Sequence, residues 1–421
     1  MGPFRRLRWS VAPPGASPDE RRNFRYVQID ALGIGMANVA TIFLPVFLTR
    51  LGATNFQIGL LTAMPAATGL VLAIIVGNFL QRQRNVVPWF SASRALVVSC
   101  FAATGIAPWL VPEDLIVQTI LIIWAAATLP QTAVAIAFSV VMNAVAGPAY
   151  RYDLMSRRWS ILGLVTAVTV LLVGQALERI GFPLNYQVVF VALSIGGLIS
   201  YLASSRVRIP DRPQDLDGAA RSLAQRWRDY FAVVHAHPDF VRFLIKRFVF
   251  LSGTALAAPL FPLYFVREVG ASDAAIGTIS MAQTIVLVFG YAVWMRVKRR
   301  RGPQVVLVVT TLSMSLYPAL VAATTHVPFI VLLAGLAGVV SAGIDLVFFD
   351  ELMKRVPVEH SATFVSIAQS LQYASAVAFP LIGATLATVV GLSGALVAAA
   401  VIRLAGALLF AFWRSEPAVG P

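Results

Sequence analysis

The sequence predicts an all-α polytopic membrane protein, with twelve transmembrane helices in two six-helix pseudo-symmetric halves. Apolar runs of about 20 residues, the length that crosses a bilayer's hydrocarbon core, recur from Val27 to Trp413. The composition is 58% hydrophobic and 12% charged, with a mean hydropathy of +0.78, whereas soluble domains carry about 25% charged residues. The chain also repeats itself. Leu44-Pro45-Val46-Phe47-Leu48-Thr49-Arg50-Leu51-Gly52-Ala53-Thr54, continuing to Ile58-Gly59, is answered by Phe261-Pro262-Leu263-Tyr264-Phe265-Val266-Arg267-Glu268-Val269-Gly270-Ala271-Ser272, continuing to Ile276-Gly277. Both copies sit at the same point of a six-helix unit, so the halves are parallel repeats about an axis along the membrane normal.

In chain order, residues 1–26 form a basic tail with no apolar region or cleavage site of a secretory signal, read as cytoplasmic. The first half covers 27–203, with spans at 27–49, 56–80, 87–111, 115–143, 159–181 and 184–203. Residues 204–240 form a hydrophilic linker, in which Leu223, Trp227, Tyr230 and Val234 recur at helical spacing and predict an amphipathic helix on the membrane face. The second half covers 241–413, with spans at 241–266, 272–296, 304–325, 327–351, 362–390 and 393–413. A short tail, 414–421, closes the chain.

The net charge of +14 suggests nucleic acid in a soluble protein, but here its placement reports topology. Only Arg50, Arg179 and Arg267 of the 33 Lys and Arg residues fall in one set of loops; Arg94 and Arg403 fall deep within spans, and Arg242, Lys246, Arg247 and Arg296 fall at the opposite ends of theirs. The remainder flank the opposite ends, which places both termini in the cytoplasm of a plasma membrane by the positive-inside rule. No nucleic-acid partner follows. Cys100 is the sole cysteine and excludes an intramolecular disulfide. No phosphate loop, metal-ligand pattern or nucleophile elbow is present, so neither an enzyme nor a cofactor is expected.

Through its six-plus-six spans, basic central linker, parallel repeat and short basic loop after the second span, the chain resembles the major facilitator superfamily. That superfamily's loop signature is represented by Gly77-Asn78-Phe79-Leu80-Gln81-Arg82-Gln83-Arg84. Gly77 and Arg82 fit it, while Gln81 replaces the acid and Arg84 the second glycine. The resemblance implies alternating access about a midplane site, a functional monomer and a first span lining the central cavity. The glycine-proline signature of many drug/proton antiporters is absent from the fifth span.

Candidate site residues are the polar groups at membrane depth, where a charge costs about 2.5–3.5 kcal/mol on insertion scales. Asp30, Asn38 and Thr41 lie broadly on one face of the first span. A desolvated carboxylate exchanges a proton near neutral pH, which makes Asp30 the leading proton-coupling candidate; the competing account pairs it permanently with Arg94 as a lock. Asp345 is the second coupling candidate, with an ion-pair lock again the competing account. Trp124, Thr128, Gln131 and Thr132 form a neutral wall on the fourth span, and Thr254, Gln283, Gln369 and Tyr373 are the second half's cavity candidates. Such a wall suits an uncharged or amphiphilic solute. Asp350 and Glu351 are read as a cytoplasmic gate with Lys354, Arg355 or the basic loops. Arg403 requires a protein partner, an acid on a neighbouring helix before an anionic substrate.

The expected function is secondary active transport of a small organic solute, proton-coupled, with export favoured over uptake by the weakly charged cavity. Membrane lipids are the surrounding partners. The alternatives are an uncoupled facilitator, or a transporter-like sensor or lipid-handling protein without solute turnover.

Overall fold

In the computed structural model the described residues are Ala12, 15–210, 237–355 and 361–413; the expected amphipathic linker helix, half of the N-terminal tail and all of the C-terminal tail lie outside them. The elements are α1 (Pro18–Ala37), α2 (Val39–Arg50), α3 (Asn55–Gln81), α4 (Val87–Leu110), α5 (Ile116–Leu177), α6 (Leu184–Ser204), α7 (Pro238–Ala257), α8 (Leu260–Arg267), α9 (Asp273–Arg301), α10 (Pro303–Ala322), α11 (Val327–Lys354) and α12 (Ser361–Phe412). Eleven helical stretches are long and apolar enough to cross a membrane.

Two of the continuous helices each hold two crossings. The 62 residues of α5 would extend about 93 Å if straight, three bilayer cores end to end. Its early part instead packs Val141 and Met142 with Leu80, and its later part brings Arg158 to Asp30 and Thr166 to Gly35. In α12, Gly391 has φ 78 and ψ 168, which glycine tolerates and a helix does not. Before it, Ser375 and Gly383 meet Ser252 and Leu256, rising along α7; after it, Arg403 and Gly406 meet Gly253 and Phe250, descending. The chain therefore reverses at Gly391, and twelve crossings result.

Each span that opens a half is interrupted shortly before its copy of the repeated motif. The α1/α2 break falls at Asn38, whose carbonyl accepts the Thr41 hydroxyl at 2.7 Å, and the α7/α8 break falls at Ala258-Pro259. The repeated motif follows the break. Gly52 and Gly270, at φ 85 and 64, turn the chain; Thr54 and Ser272 then cap α3 and α9 by accepting the backbone N–H of Gln57 and Ala275. Ile58 and Ile276 are buried, and the glycines after them face the opposite half. A Cβ on Gly59 would meet the Pro380 carbonyl at 2.9 Å, and one on Gly277 would meet the Val170 carbonyl at 2.9 Å. Each copy thus supplies half of one interface, built from small residues that admit close backbone approach.

Candidate functional site: a cavity beside two buried arginines

The repeated loops also clasp each other. Arg50 reaches Asp273 at 2.8 Å and donates to the Ala271 carbonyl at 3.0 Å, while Arg267 donates to Asn55 at 2.6 Å and to the Ala53 carbonyl. Tyr186 donates to Asp273 at 2.6 Å, and the Ala274 N–H donates to Glu178. These bonds across the halves gather at the end that carries Arg50 and Arg267.

Behind this closed end lies a cavity of about 760 Å³, within the range of small-molecule sites. Asn38 and Ala258, the two helix-break residues, both line it. Interruptions in the opening spans of two repeats are where binding sites gather in this type of fold; here the backbone keeps helical angles at both, Asn38 at φ −60 and ψ −21 and Ala258 at φ −54 and ψ −50. Thr41, Trp124 and Gln131 share the wall, and the Trp124 indole N–H is fixed by the Thr104 hydroxyl at 2.9 Å.

The other candidates fall elsewhere. Thr128 bonds Thr68 at 2.7 Å and Thr132 bonds the Thr128 carbonyl, tying α3 to α5 without facing this cavity. Thr254 donates to the Phe250 carbonyl, Gln283 packs its backbone on Gly338, Tyr373 lies against Gly69 and Gln369 is exposed. Gly77 has open space around its Cβ position, and Arg82 is an exposed cap of α3. Asp345 is exposed and accepts from the Tyr291 hydroxyl at 3.1 Å. Asp350 pairs with Lys298 and Lys354, and Glu351 with Lys354 and Arg355. These partners all belong to the second half, so the cluster braces α9 and α11 and does not bridge the halves.

Asp30 is 2% exposed and carries more partners than the sequence reading gave it. It meets Arg94 at 3.3 Å and Arg158 at 3.5 Å, and it accepts the Ser200 hydroxyl at 2.6 Å. Arg94 donates to the same hydroxyl at 3.0 Å. Both guanidiniums line the cavity, Arg94 over the Phe90 ring and Arg158 over Phe138, each at 4.5 Å. Arg158 is the residue that sequence reasoning missed. It precedes the fifth span among basic residues that resemble topology anchors, yet it is 3% exposed and makes the expected neutral wall cationic.

The second half repeats this helix contact with different polar groups. Gly33 abuts Gly196 and Ser200, while Gly253 abuts Ala399 and Arg403. Arg403 thus stands where the first half has Ser200, and Phe250 stands where it has Asp30. Arg403 is 3% exposed with its guanidinium 5.2 Å from the Phe250 ring centre, and no acid pairs with it among the described residues.

The fold defines a twelve-crossing, two-repeat helical membrane protein with a cavity lined almost wholly by its first half. Residues 243–421 match the model for the Major Facilitator Superfamily, and the chain as a whole has the fold of the solved transporter structures it is similar to. It superposes on a variant of the nucleoside transporter NupG with a TM-score of 0.71 at 12% identity, covering 93% of this chain and 99% of that one. A bacterial homologue of the human lysosomal transporter Spinster, inward-facing and unoccupied, gives a TM-score of 0.68 at 15% identity, covering 96% and 100%. The inward-open xylose transporter XylE from E. coli gives a TM-score of 0.66 at 13% identity, covering 94% and 96%. Among curated proteins no sequence match is found.

Proposed function

We propose that the chain is a secondary transporter that carries a small organic solute across the plasma membrane by alternating access, acting as a monomer with both termini in the cytoplasm. The observation that carries this reading is the cavity of about 760 Å³ at the paired helix breaks, closed at the end where the two repeats clasp. With the termini inside, that closed end faces outward, and the Arg82 end faces the cytoplasm. The similar folds are those of proteins named as nucleoside and xylose transporters and a lysosomal transporter homologue, and their names suit such a role.

Proton coupling is proposed at Asp30. Its carboxylate is the only acid that pairs with Arg94 and Arg158 among the described residues, so its charge state alters the balance at the cavity wall. Asp345, held by Tyr291, is the second coupling candidate. The test is counterflow with purified full-length protein in liposomes, using a panel of labelled solutes. Saturable exchange supports transport, and accumulation under an imposed pH gradient supports coupling. Equilibration without accumulation leaves an uncoupled facilitator. Headgroup-independent lipid scrambling with no saturable exchange would replace the transporter reading with lipid handling.

A further inference from the structure

We infer that the cavity takes an organic monoanion, a carboxylate on an apolar body, gripped by Arg158 and Arg94. This deepens the transport reading and rests on the same cavity. The count of charge comes first. Two guanidiniums, 4% and 3% exposed, share the single carboxylate of Asp30, leaving one positive charge in excess at a largely apolar wall. A buried charge is costly unless paired, and among the described residues no second acid pairs with either arginine.

The geometry agrees with the count. The guanidiniums stand off Asp30 at 3.3 and 3.5 Å, whereas the short bond to that carboxylate, 2.6 Å, comes from Ser200. The Nε atoms of both arginines are buried with no hydrogen-bond partner. The Nε atoms are covered, so a ligand in the cavity meets the terminal N–H groups of the two planar cations, and guanidinium is the group that holds carboxylates through paired N–H bonds.

The remaining wall selects the body of the ligand. Val97, Phe101, Trp124, Val134 and Leu162 offer an apolar and aromatic surface, and Asn38 and Gln131 add neutral hydrogen bonding. A charge of −1 neutralises the site while Asp30 keeps its own partners. A dianion overshoots, and a neutral solute leaves the excess guanidinium unpaired.

The experiment compares octanoate and phenylacetate with octanamide and phenylacetamide on the full-length protein in nanodiscs, read by calorimetry and thermal shift. The carboxylates should bind at least tenfold tighter than their amides. Arg158→Gln should erase that preference, Arg158→Lys should keep part of it, and Asp30→Asn should strengthen it by freeing both cations. Equal binding of acid and amide in the wild type overturns the inference, as does a preference that survives both Arg158→Gln and Arg94→Gln. Reconstituted exchange separates the two readings. Saturable exchange of neutral solutes without a carboxylate preference retains the transporter and removes the anion site; carboxylate preference without exchange of any solute does the reverse.

Discussion

Arg50 and Asp273, from corresponding loops of the two halves, meet at 2.8 Å across the boundary between them, and Tyr186 holds the same carboxylate from a third helix. A partly exposed ion pair contributes about 0.2–1 kcal/mol, and the Tyr186 hydrogen bond adds about 1 kcal/mol. Asp273→Ala should therefore shift the population open at this end by about tenfold, since 1.4 kcal/mol is a factor of ten. The shift is measured as faster labelling of Thr62→Cys, a cavity residue, by an impermeant maleimide in a Cys100→Ser background. An unaltered labelling rate would mean that the clasp does not hold this end shut.

Asp30→Asn should abolish accumulation driven by a pH gradient while solute exchange continues. It should also lower thermal stability. Removing one partner of a buried pair costs about 3–5 kcal/mol, and here the loss leaves two guanidiniums facing each other without a carboxylate. Uphill transport at the wild-type level in this variant excludes Asp30 as the coupling group.

Gly33 lets α1 lie on α6, where a Cβ would fall 2.4 Å from the Gly196 carbonyl and 2.6 Å from the Ser200 amide. Gly33→Ala must push backbone from backbone, and overpacking of this kind costs about 1–3 kcal/mol. Gly335→Ala is the matched control, because the nearest atom to its Cβ position is 3.9 Å away. Thermal unfolding in detergent should separate the two variants, Gly33→Ala lower and Gly335→Ala level with the wild type. Equal melting of both would show that α1 and α6 have room to part.

Arg403 is buried with no acid paired to it among the described residues, so Arg403→Met should raise the melting temperature. The methionine fills a similar volume over Phe250 and removes the desolvation cost of the charge. Phe250→Asp should lower it, because Phe250 is buried against Phe348 and the lost apolar side chain outweighs a new buried ion pair. A fall in stability in Arg403→Met would show that the guanidinium is held by something other than a carboxylate.

The spans were legible because a bilayer demands long apolar helices, and the charge bias between Arg50 and Arg82 carried the expected topology in plain view. The repeat was legible too, but its purpose was not. Gly52, Thr54 and Gly59 read as a likeness to Gly270, Ser272 and Gly277, whereas the fold shows a turn, a cap and a face against the opposite half. Arg158 was hidden because a basic residue at the edge of a span carries the signature of a topology anchor. Its burial depends on how α5 returns past α1, a long-range fact with no local sign. The same holds for Tyr186 and Asp273, which share no motif and meet only through the docking of the halves.

Of the described residues on the cavity wall, Ala258 is the only one from the second half. A ligand moves a conformational equilibrium only by the difference in its affinity for the states involved. An occupant seated as this wall allows is therefore nearly indifferent to where the second half stands, and binding by itself drives little. To power its own passage it must win new partners from that half in an intermediate that grips both sides, so turnover should depend on the strength of that second grip more than on the tightness of the first.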